Sequence, residues 1–410
     1  MRAAFNENSG RGFKHYKLTL FDNVQFLYEL KLAFLELVSL GAKFEFNNLS
    51  FEFTLLEAEN LEKLLKRLAY FQSINDLKTD YFHIVKANRT RSFNQYLTHW
   101  FYPYKGKFHP QMIRALLNII GINPGDIVLD PFIGSGTLAL EAQLLGINCI
   151  GLDISPLCVL QSKVKTQSIA VSDKITQYNS VILKQINSNH KSPKDVIDDF
   201  VSSLSDENLK NFYTLAKLVA ISDMARRKRN FLSSFIKNLN LMTLSVLDYV
   251  EIIKQLELTP GCVSVSLGDA RFLPFEDSFF DGIITSPPYS VALDYVANDI
   301  HALEALNCDI AWVKENLIGL RGKGKSRIKL YNEDLEMVIK QMYRVLKPGR
   351  FAVIIIGNAK YLGKEVKTTE FVIEKALETG FELVENIDKA IFGLYNVMQK
   401  ENILIFKKPF

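Results

Sequence analysis

Cysteine and tryptophan are scarce: four cysteines (Cys149, Cys158, Cys262, Cys308) and two tryptophans in 410 residues. The cysteines stand far apart, with no CxxC pair and no Cys/His cluster, which argues against a disulfide framework or a zinc site. No metal is expected. Long apolar runs are missing too. The longest, Phe351 to Ile356, is strand-sized, far short of the roughly 18 residues of a membrane-spanning helix. The opening stretch, Met1 to His15, is polar and mixed in charge, so it lacks the apolar region of a signal peptide. Charge of one sign is not in large excess: 49 Lys and Arg face 45 Asp and Glu, a net +4, which does not by itself call for nucleic acid. There is no internal repeat and no low-complexity tract. These absences leave a reduced, soluble, cytoplasmic protein with no membrane partner. The composition, 48% hydrophobic and 23% charged with 29 Phe and 16 Tyr, is that of an ordinary globular chain. At roughly 150 residues per domain, two or three domains are expected.

Residues 14–21, 43–47 and 51–55 alternate polar and apolar, the period of a strand. Residues 25–39 and 56–70 have helical spacing. The first part, 1–98, therefore reads as a small α+β module. It leads into a basic, aromatic stretch from Arg89 to Lys107. The pattern changes at 108. A helix, Pro110 to Ile120, and a turn, Asn123-Pro124-Gly125-Asp126, precede a buried strand, Ile127 to Leu129. A glycine-rich turn, a helix (Thr137 to Leu145) and a second strand (Cys149 to Leu152) complete a βαβ unit, the signature of a parallel sheet. Residues 168–258 break the alternation with about ninety mostly helical, polar residues. From 262 strands and helices alternate again: a strand ending at Asp269, another over 281–286, helices over 333–346 and 368–379, the strand Phe351–Ile356, and strands near 381–393 and 402–407. The expected fold is a doubly wound α/β domain over 99–167 and 259–410. Residues 168–258 form a helical insertion within it, and an insertion of this size suits target recognition.

Four motifs carry the chemistry. Asp130-Pro131-Phe132-Ile133-Gly134-Ser135-Gly136-Thr137 lies between a strand and a helix, where two glycines permit a tight turn and a close ligand approach. It lacks the third glycine of a dinucleotide fingerprint and the Gly-Lys-Ser/Thr of a P-loop. Gly151-Leu152-Asp153-Ile154 sets an acidic residue about twenty positions on, at a strand end, where it would accept from ribose hydroxyls. Leu267-Gly268-Asp269-Ala270 ends a later strand and would read an adenine edge; helix capping is the plainer reading of both carboxylates. Thr285-Ser286-Pro287-Pro288-Tyr289-Ser290 follows another strand. Its prolines stiffen the turn and remove two backbone donors, leaving acceptors beside an aromatic face. That suits a planar ring bearing an amino group, with Tyr289 stacked on it.

In this order the four motifs resemble those of S-adenosylmethionine-dependent amino-methyltransferases acting on nucleic-acid bases. Leu346-Lys347-Pro348-Gly349 resembles the turn before that fold's fifth strand, and Tyr104 to Pro110 resembles the segment that contacts the cofactor. The resemblance covers about 100–165 and 262–407. It implies a Rossmann-like class I methyltransferase fold with a mostly parallel seven-stranded sheet. It further implies S-adenosyl-L-methionine as cofactor, held by Lys107, Phe108, His109, Asp130, Phe132, Gly134, Gly136, Thr137, Asp153, Ile154, Asp269 and Ala270. Ser286, Pro287, Pro288 and Tyr289 correspond to the catalytic loop. The first residue of that loop is usually Ser in cytosine-N4 DNA methyltransferases, and usually Asp or Asn in adenine-N6 enzymes. The tRNA guanine-N2 methyltransferases share the motif order and carry an N-terminal RNA-binding module. Their tyrosine is usually followed by Gly, where this chain has Ser290. Cytosine N4 in DNA is thus the expected target, with tRNA guanine N2 and adenine N6 as alternatives. A subunit that kept the fold and lost its chemistry is the competing class. A restriction endonuclease is an expected partner of such a DNA enzyme, and the chain would act as a monomer or dimer.

Outside the motifs, Arg226, Arg227, Lys228 and Arg229, and a glycine-spaced basic run containing Arg321, Lys323 and Lys325, are candidate phosphate contacts. The second run is expected to be a mobile loop. His99 and Trp100 would line the nucleic-acid groove, although buried packing is the expected fate of Trp100; Asp294-Tyr295 would hold the target or cap a helix, and His301 is read as structural.

Overall fold

The computed structural model describes residues 15–289, 294–322, 324–361, 364–390 and 400–410. The N-terminal module runs β1 (Tyr16–Leu20), α1 (Leu27–Ser39), β2 (Ala42–Asn47), β3 (Glu52–Ala58), α2 (Leu61–Arg67), β4 (Phe71–Ile74), β5 (Leu77–Lys78) and α3 (Asp80–Lys86). Its sheet has the order β2-β3-β1-β4-β5, every pair antiparallel. The first six elements form a split βαβ arrangement, with β1 between β3 and β4. The helix expected over 56–70 is shorter, because β3 runs on to Ala58 and Asn60 caps α2 by accepting from the Lys63 N–H (2.9 Å). The two short strands and the helix over 71–86 were not foreseen.

The larger domain begins with α4 (Pro110–Ile119), β6 (Ile127–Asp130), α5 (Thr137–Leu144), β7 (Asn148–Asp153) and α6 (Pro156–Gln167). The insertion is four helices: α7 (Ser172–Ser188), α8 (Pro193–Ser203), α9 (Glu207–Arg227) and α10 (Phe231–Gln255). Then follow β8 (Val263–Leu267), β9 (Phe280–Thr285), α11 (Tyr295–Ala305), α12 (Ile310–Asn316), α13 (Lys325–Val345), β10 (Leu346–Ile356), a small hairpin of β11 (Ala359–Tyr361) and β12 (Lys364–Val366), α14 (Thr368–Thr379), β13 (Glu382–Ala390) and β14 (Lys400–Lys407). The end of the strand expected over 381–393 lies outside the described residues.

The large sheet has seven strands in the order β13-β14-β10-β9-β6-β7-β8. Only β14 runs antiparallel to its neighbours. This is the mostly parallel seven-stranded α/β fold expected from the sequence. Strands covered by helices on both faces read as continuous apolar runs. Val128, Leu129, Ile283, Ile284, Val353 and Ile354 accordingly have at most 1% of their surface exposed. The chain winds from β6 through β7 to β8, then returns to β9 on the other side of β6. That reversal opens a crevice beyond the carboxyl ends of β6 and β9, the place where open α/β sheets bind ligands.

Two contacts bind the additions to this frame. Helix α1 packs on α4, and the fully buried Glu36 accepts from Asn118 Nδ2 (2.7 Å) and from the backbone N–H groups of Ala69 (2.8 Å) and Tyr70 (3.2 Å). Burial pushes its carboxyl up to about 7. The insertion is equally integrated. Its hydrophobic core is continuous with Phe101, Tyr102, Leu157, Val296, Leu303 and Val313, which belong to the domain around it.

Candidate active site

The glycine loop is shaped from beneath. Asp130, at the end of β6, is fully buried; its Oδ1 accepts from the Phe132 N–H (3.0 Å) and from Thr285 Oγ1 (2.6 Å), which ties β6 to β9 across the crevice. Its Oδ2 is buried without a partner, and burial pushes the carboxyl up to about 7. Gly134 and Gly136 have φ of +49° and +74°, which favour glycine. A Cβ on Gly136 would also stand 2.7–3.0 Å from atoms of Ser162. Helix α6 draws the loop's carbonyls toward itself from one face. Gln161 Nε2 (3.1 Å) and Ser162 Oγ (3.2 Å) donate to the Gly134 carbonyl, and Lys165 Nζ (2.6 Å) donates to that of Ser135. Lys165 is wholly buried, and burial holds its amine well below the usual lysine range.

Two strand ends bring carboxylates to the same crevice. Asp153, ending β7, accepts from the Gly134 N–H through Oδ2 (2.9 Å) and from the Ser155 N–H through Oδ1 (2.9 Å). Enclosure by the walls pushes its carboxyl up to about 6. Asp269, just past β8, is gripped by Arg271: the backbone N–H (2.9 Å) and Nε (3.0 Å) donate to Oδ1 and a terminal nitrogen (2.6 Å) to Oδ2. Arg271 also reaches Asp334 (3.0 Å), which takes a second bond from Arg321 (2.5 Å). Asp269 is thereby fixed at the edge of the cleft with its side chain 26% exposed.

The cleft encloses about 980 Å³, its open mouth included. Phe132, Gly134, Ser135, Asp153, Ile154, Asp269 and Ala270 line one side. Tyr104, Gly106 and Phe108 come in from the segment ahead of α4, and Ser286 and Pro288 from the loop after β9. The Tyr104 ring stacks on Tyr295, with centroids 6.2 Å apart and planes at 21°. The far wall, Leu157, Val296, Leu303, Val313 and Leu317, is shared with the core of the insertion.

Several expected residues stand elsewhere. Tyr289 is 7% exposed and absent from the cleft lining; its ring lies in the hydrophobic cluster under β9, β10 and α13. Its hydroxyl donates to Glu401 Oε1 (2.6 Å), and Glu401 pairs with Lys389. The open stacking face expected of Tyr289 is covered here. Pro287 is buried behind Ser286 and Pro288. Lys107 turns inward to the carbonyls of His99 (2.7 Å) and Asn94 (3.3 Å), and burial brings its amine down to about 7. His109 stands at the N-terminus of α4, and Thr137 is buried at the start of α5; neither lines the cleft. His99 is not in a groove: it is buried against Glu141 Oε1 (2.8 Å). Trp100 donates to Ser245 Oγ (2.8 Å) on α10. Asp294 caps α11 by accepting from the Ala297 N–H (2.9 Å).

The basic clusters are partly consumed internally. Arg226 donates to the Pro103 carbonyl (2.9 Å), the Asn298 carbonyl (2.6 Å) and Asp299 Oδ1 (2.6 Å). Arg227 (2.9 Å) and Arg229 (3.3 Å) flank Asp223 with about half their side chains exposed. Lys228 forms the left-handed end of α9. The run expected to be a mobile loop enters α13 at Lys325. Arg321 is paired with Asp334, and Arg327 Nε donates to the Gly319 carbonyl (2.6 Å), folding the run back on itself. Lys323 and the side chain of Lys325 lie outside the described residues, as does Ser290. Tyr104, Cys158, Asp299, Asn316, Leu317 and Ile318 line the cleft without having been singled out for it. Only Tyr104, inside the segment resembling a cofactor contact, carried a signal. The others reach the site through helices α6, α11 and α12, whose placement no local pattern announces.

Residues 49–163 match the family described as DNA methylase. The match starts inside the N-terminal module, ahead of the motif series. Over 121 residues the chain is 37% identical to the type II methyltransferase M.MjaII of Methanocaldococcus jannaschii, which covers 28% of this chain and 22% of that protein. It is 36% identical over 84 residues to a tRNA (guanine(10)-N2)-dimethyltransferase of Methanothermobacter thermautotrophicus, covering 20% and 24% of the two chains. A longer likeness, 21% identity over 355 residues, is to the type II methyltransferase M.MvaI of Kocuria varians and covers 64% of this chain and 77% of that one. The first two similarities thus span under a quarter of those relatives' length.

Proposed function

We propose that this chain transfers the methyl group of S-adenosylmethionine to an exocyclic amino nitrogen of a nucleic-acid base, and that the base is cytosine, methylated at N4 in DNA. One observation carries the reading: Ser286 and Pro288 open onto the same cleft as Asp153 and the glycine loop. A cofactor site and a loop of hydrogen-bond acceptors therefore share one enclosure.

The residues present fit the cofactor. The unpartnered Asp130 Oδ2 lies beneath the glycine loop, whose Gly134 and Ser135 line the cleft. Asp153 would hold the ribose, Asp269 with Ala270 the adenine, and Tyr104, Phe108 and Tyr295 would close the apolar flank. When bound, S-adenosylmethionine supplies a sulfonium methyl as electrophile. The chain's own part is to orient the amino group. The Ser286 hydroxyl and the carbonyls of a proline-stiffened turn accept its hydrogens, which frees the nitrogen lone pair and fixes its approach. The target base must leave its stack to reach this enclosure. Arg227, Lys228 and Arg229 would meet backbone phosphates, since the α9 corner they occupy is fastened to Pro103 and Asn298 beside the cleft.

Ser286 at the head of the loop supports cytosine N4. The likeness to tRNA (guanine(10)-N2)-dimethyltransferase supports guanine N2 in tRNA as the second reading. Incubation with methyl-labelled S-adenosylmethionine and either duplex DNA or tRNA, followed by nucleoside analysis, tests both. N4-methylcytosine is expected. N2-methylguanosine or N6-methyladenine would replace the substrate and keep the chemistry. No cofactor binding by calorimetry and no label in either polymer would overturn the reading in favour of an inactive binding subunit.

A further inference from the structure

One end of the cleft is joined by hydrogen bonds to an arginine at the surface. Both oxygens of Asp269 are taken by Arg271, through its backbone N–H (2.9 Å), Nε (3.0 Å) and Nη2 (2.6 Å). Nη2 also donates to the carbonyl of Asn316 (3.2 Å), another cleft residue at the end of α12. The remaining nitrogen, Nη1, donates to Asp334 Oδ1 on α13 (3.0 Å). The same oxygen accepts from Arg321 Nη1 (2.5 Å). Only 3% of the Asp334 side chain is exposed, and its Oδ2 is buried with no partner among the described residues. A single buried oxygen thus serves two guanidinium groups. Arg321 stands apart from the rest of the cluster, because 32% of its side chain is exposed. It lies in the turn between α12 and α13, within the basic run that Arg327 folds back by donating to the Gly319 carbonyl (2.6 Å).

Two arginines and two aspartates balance in this cluster. With Arg321 in place, Asp334 is satisfied from outside and Arg271 is free to close on Asp269. A phosphate of a bound nucleic acid competes for Arg321, the exposed member. Once Arg321 is drawn away, two carboxylates share one guanidinium. The more buried one, Asp334, loses more by going unpaired, so Arg271 shifts toward it and loosens its hold on Asp269. We propose that Asp334 is a positioning residue that couples nucleic-acid binding to cofactor binding. A phosphate on Arg321 frees Asp269, through Asp334 and Arg271, to accept from the exocyclic amino group of the cofactor's adenine. This rests on the reading of Asp269 as the adenine ligand of a nucleic-acid methyltransferase. The coupling is reciprocal, so each ligand tightens the other by the same factor. Asp334 and Arg321 touch neither the adenine nor the reacting atoms.

The test measures S-adenosylhomocysteine affinity by calorimetry in the full chain, alone and with saturating duplex DNA or tRNA. This probe keeps the adenosine and has no methyl group to transfer. In the wild type, nucleic acid should tighten it about fivefold. S-inosylhomocysteine, whose ring lacks the amino group, should gain nothing from nucleic acid. Arg321→Met should bind S-adenosylhomocysteine without nucleic acid about as tightly as the wild type does with it. In Asp334→Asn the competing carboxylate is gone, and nucleic acid should leave the affinity unchanged. Lys329→Met removes another charge of the same run, its side chain 79% exposed, and should keep the full effect. Urea unfolding checks that each variant is folded. Arg321→Met, on a part-exposed side chain, carries the test should Asp334→Asn fail to fold. A wild type with equal affinity in both conditions, coupling that survives in Arg321→Met, or equal coupling for the inosine probe would each overturn the proposal. Failure of the wild type to bind S-adenosylhomocysteine, or to bind either nucleic acid, would instead overturn the underlying reading.

Discussion

Replacing Arg226 with methionine separates two accounts of the same residue. As a member of a basic run it is a phosphate contact. In the structure it is a clamp, whose guanidinium bonds two carbonyls and the carboxylate of Asp299, itself 4% exposed and part of the cleft wall. The two carbonyls will find water once Arg226 is gone. Asp299, largely buried, keeps the Tyr102 hydroxyl (2.7 Å) as its partner among the described residues. Removing one partner of a buried pair costs about 3–5 kcal/mol. The Arg226 side chain is 26% exposed, so solvent screening brings the expected loss to about 2 kcal/mol. In urea the midpoint should fall with little change in slope. If about half of that loss is felt at the wall of the cleft, cofactor affinity weakens roughly fivefold. Calorimetry with S-adenosylmethionine measures this directly. Wild-type stability and cofactor affinity, accompanied by weaker and less salt-dependent DNA binding, would refute the clamp and return Arg226 to the phosphate contacts.

The loop and its supports give further tests. Gly136→Ala forces a side chain into a left-handed position and against Ser162, which holds the Gly134 carbonyl; about 2–3 kcal/mol of stability and most cofactor affinity should be lost, read by urea unfolding and calorimetry. Lys165→Met removes the donor to the Ser135 carbonyl and a costly buried amine together; stability should hold or rise while cofactor affinity drops, and parallel losses of both would make Lys165 merely structural. The carboxyls of Asp130 and Asp153 sit above their unfolded values, so they bind more protons folded than unfolded between about pH 4 and 7. Stability they contribute is therefore greatest in acid and declines as pH rises through that window. Asp130→Asn should flatten part of this decline in unfolding measured from pH 4 to 8, and an unchanged profile would mean that Asp130 does not titrate there.

What sequence alone determined is local or periodic. The apolar runs over 127–129 and 351–356 announced buried parallel strands, because only strands covered on both faces lack polar positions. The glycines at 134 and 136, the strand-end aspartates and the proline-stiffened turn marked the crevice, because each is a backbone requirement written in one or two residues. Tertiary structure decided the rest. Whether Arg226 meets a phosphate or Asp299 depends on a helix more than seventy residues away in sequence. Arg321 and Arg271 were drawn inward by Asp334 on α13. The partner of the Tyr289 hydroxyl, Glu401, comes from the last strand, and the cleft wall formed by residues of α6, α11 and α12 is backed by the helices that read as a separate recognition insertion. A charged side chain takes whichever partner the fold brings near it, and burial raises the cost of leaving it unpaired. Its role is therefore fixed by packing between distant elements, which no spacing along the chain records.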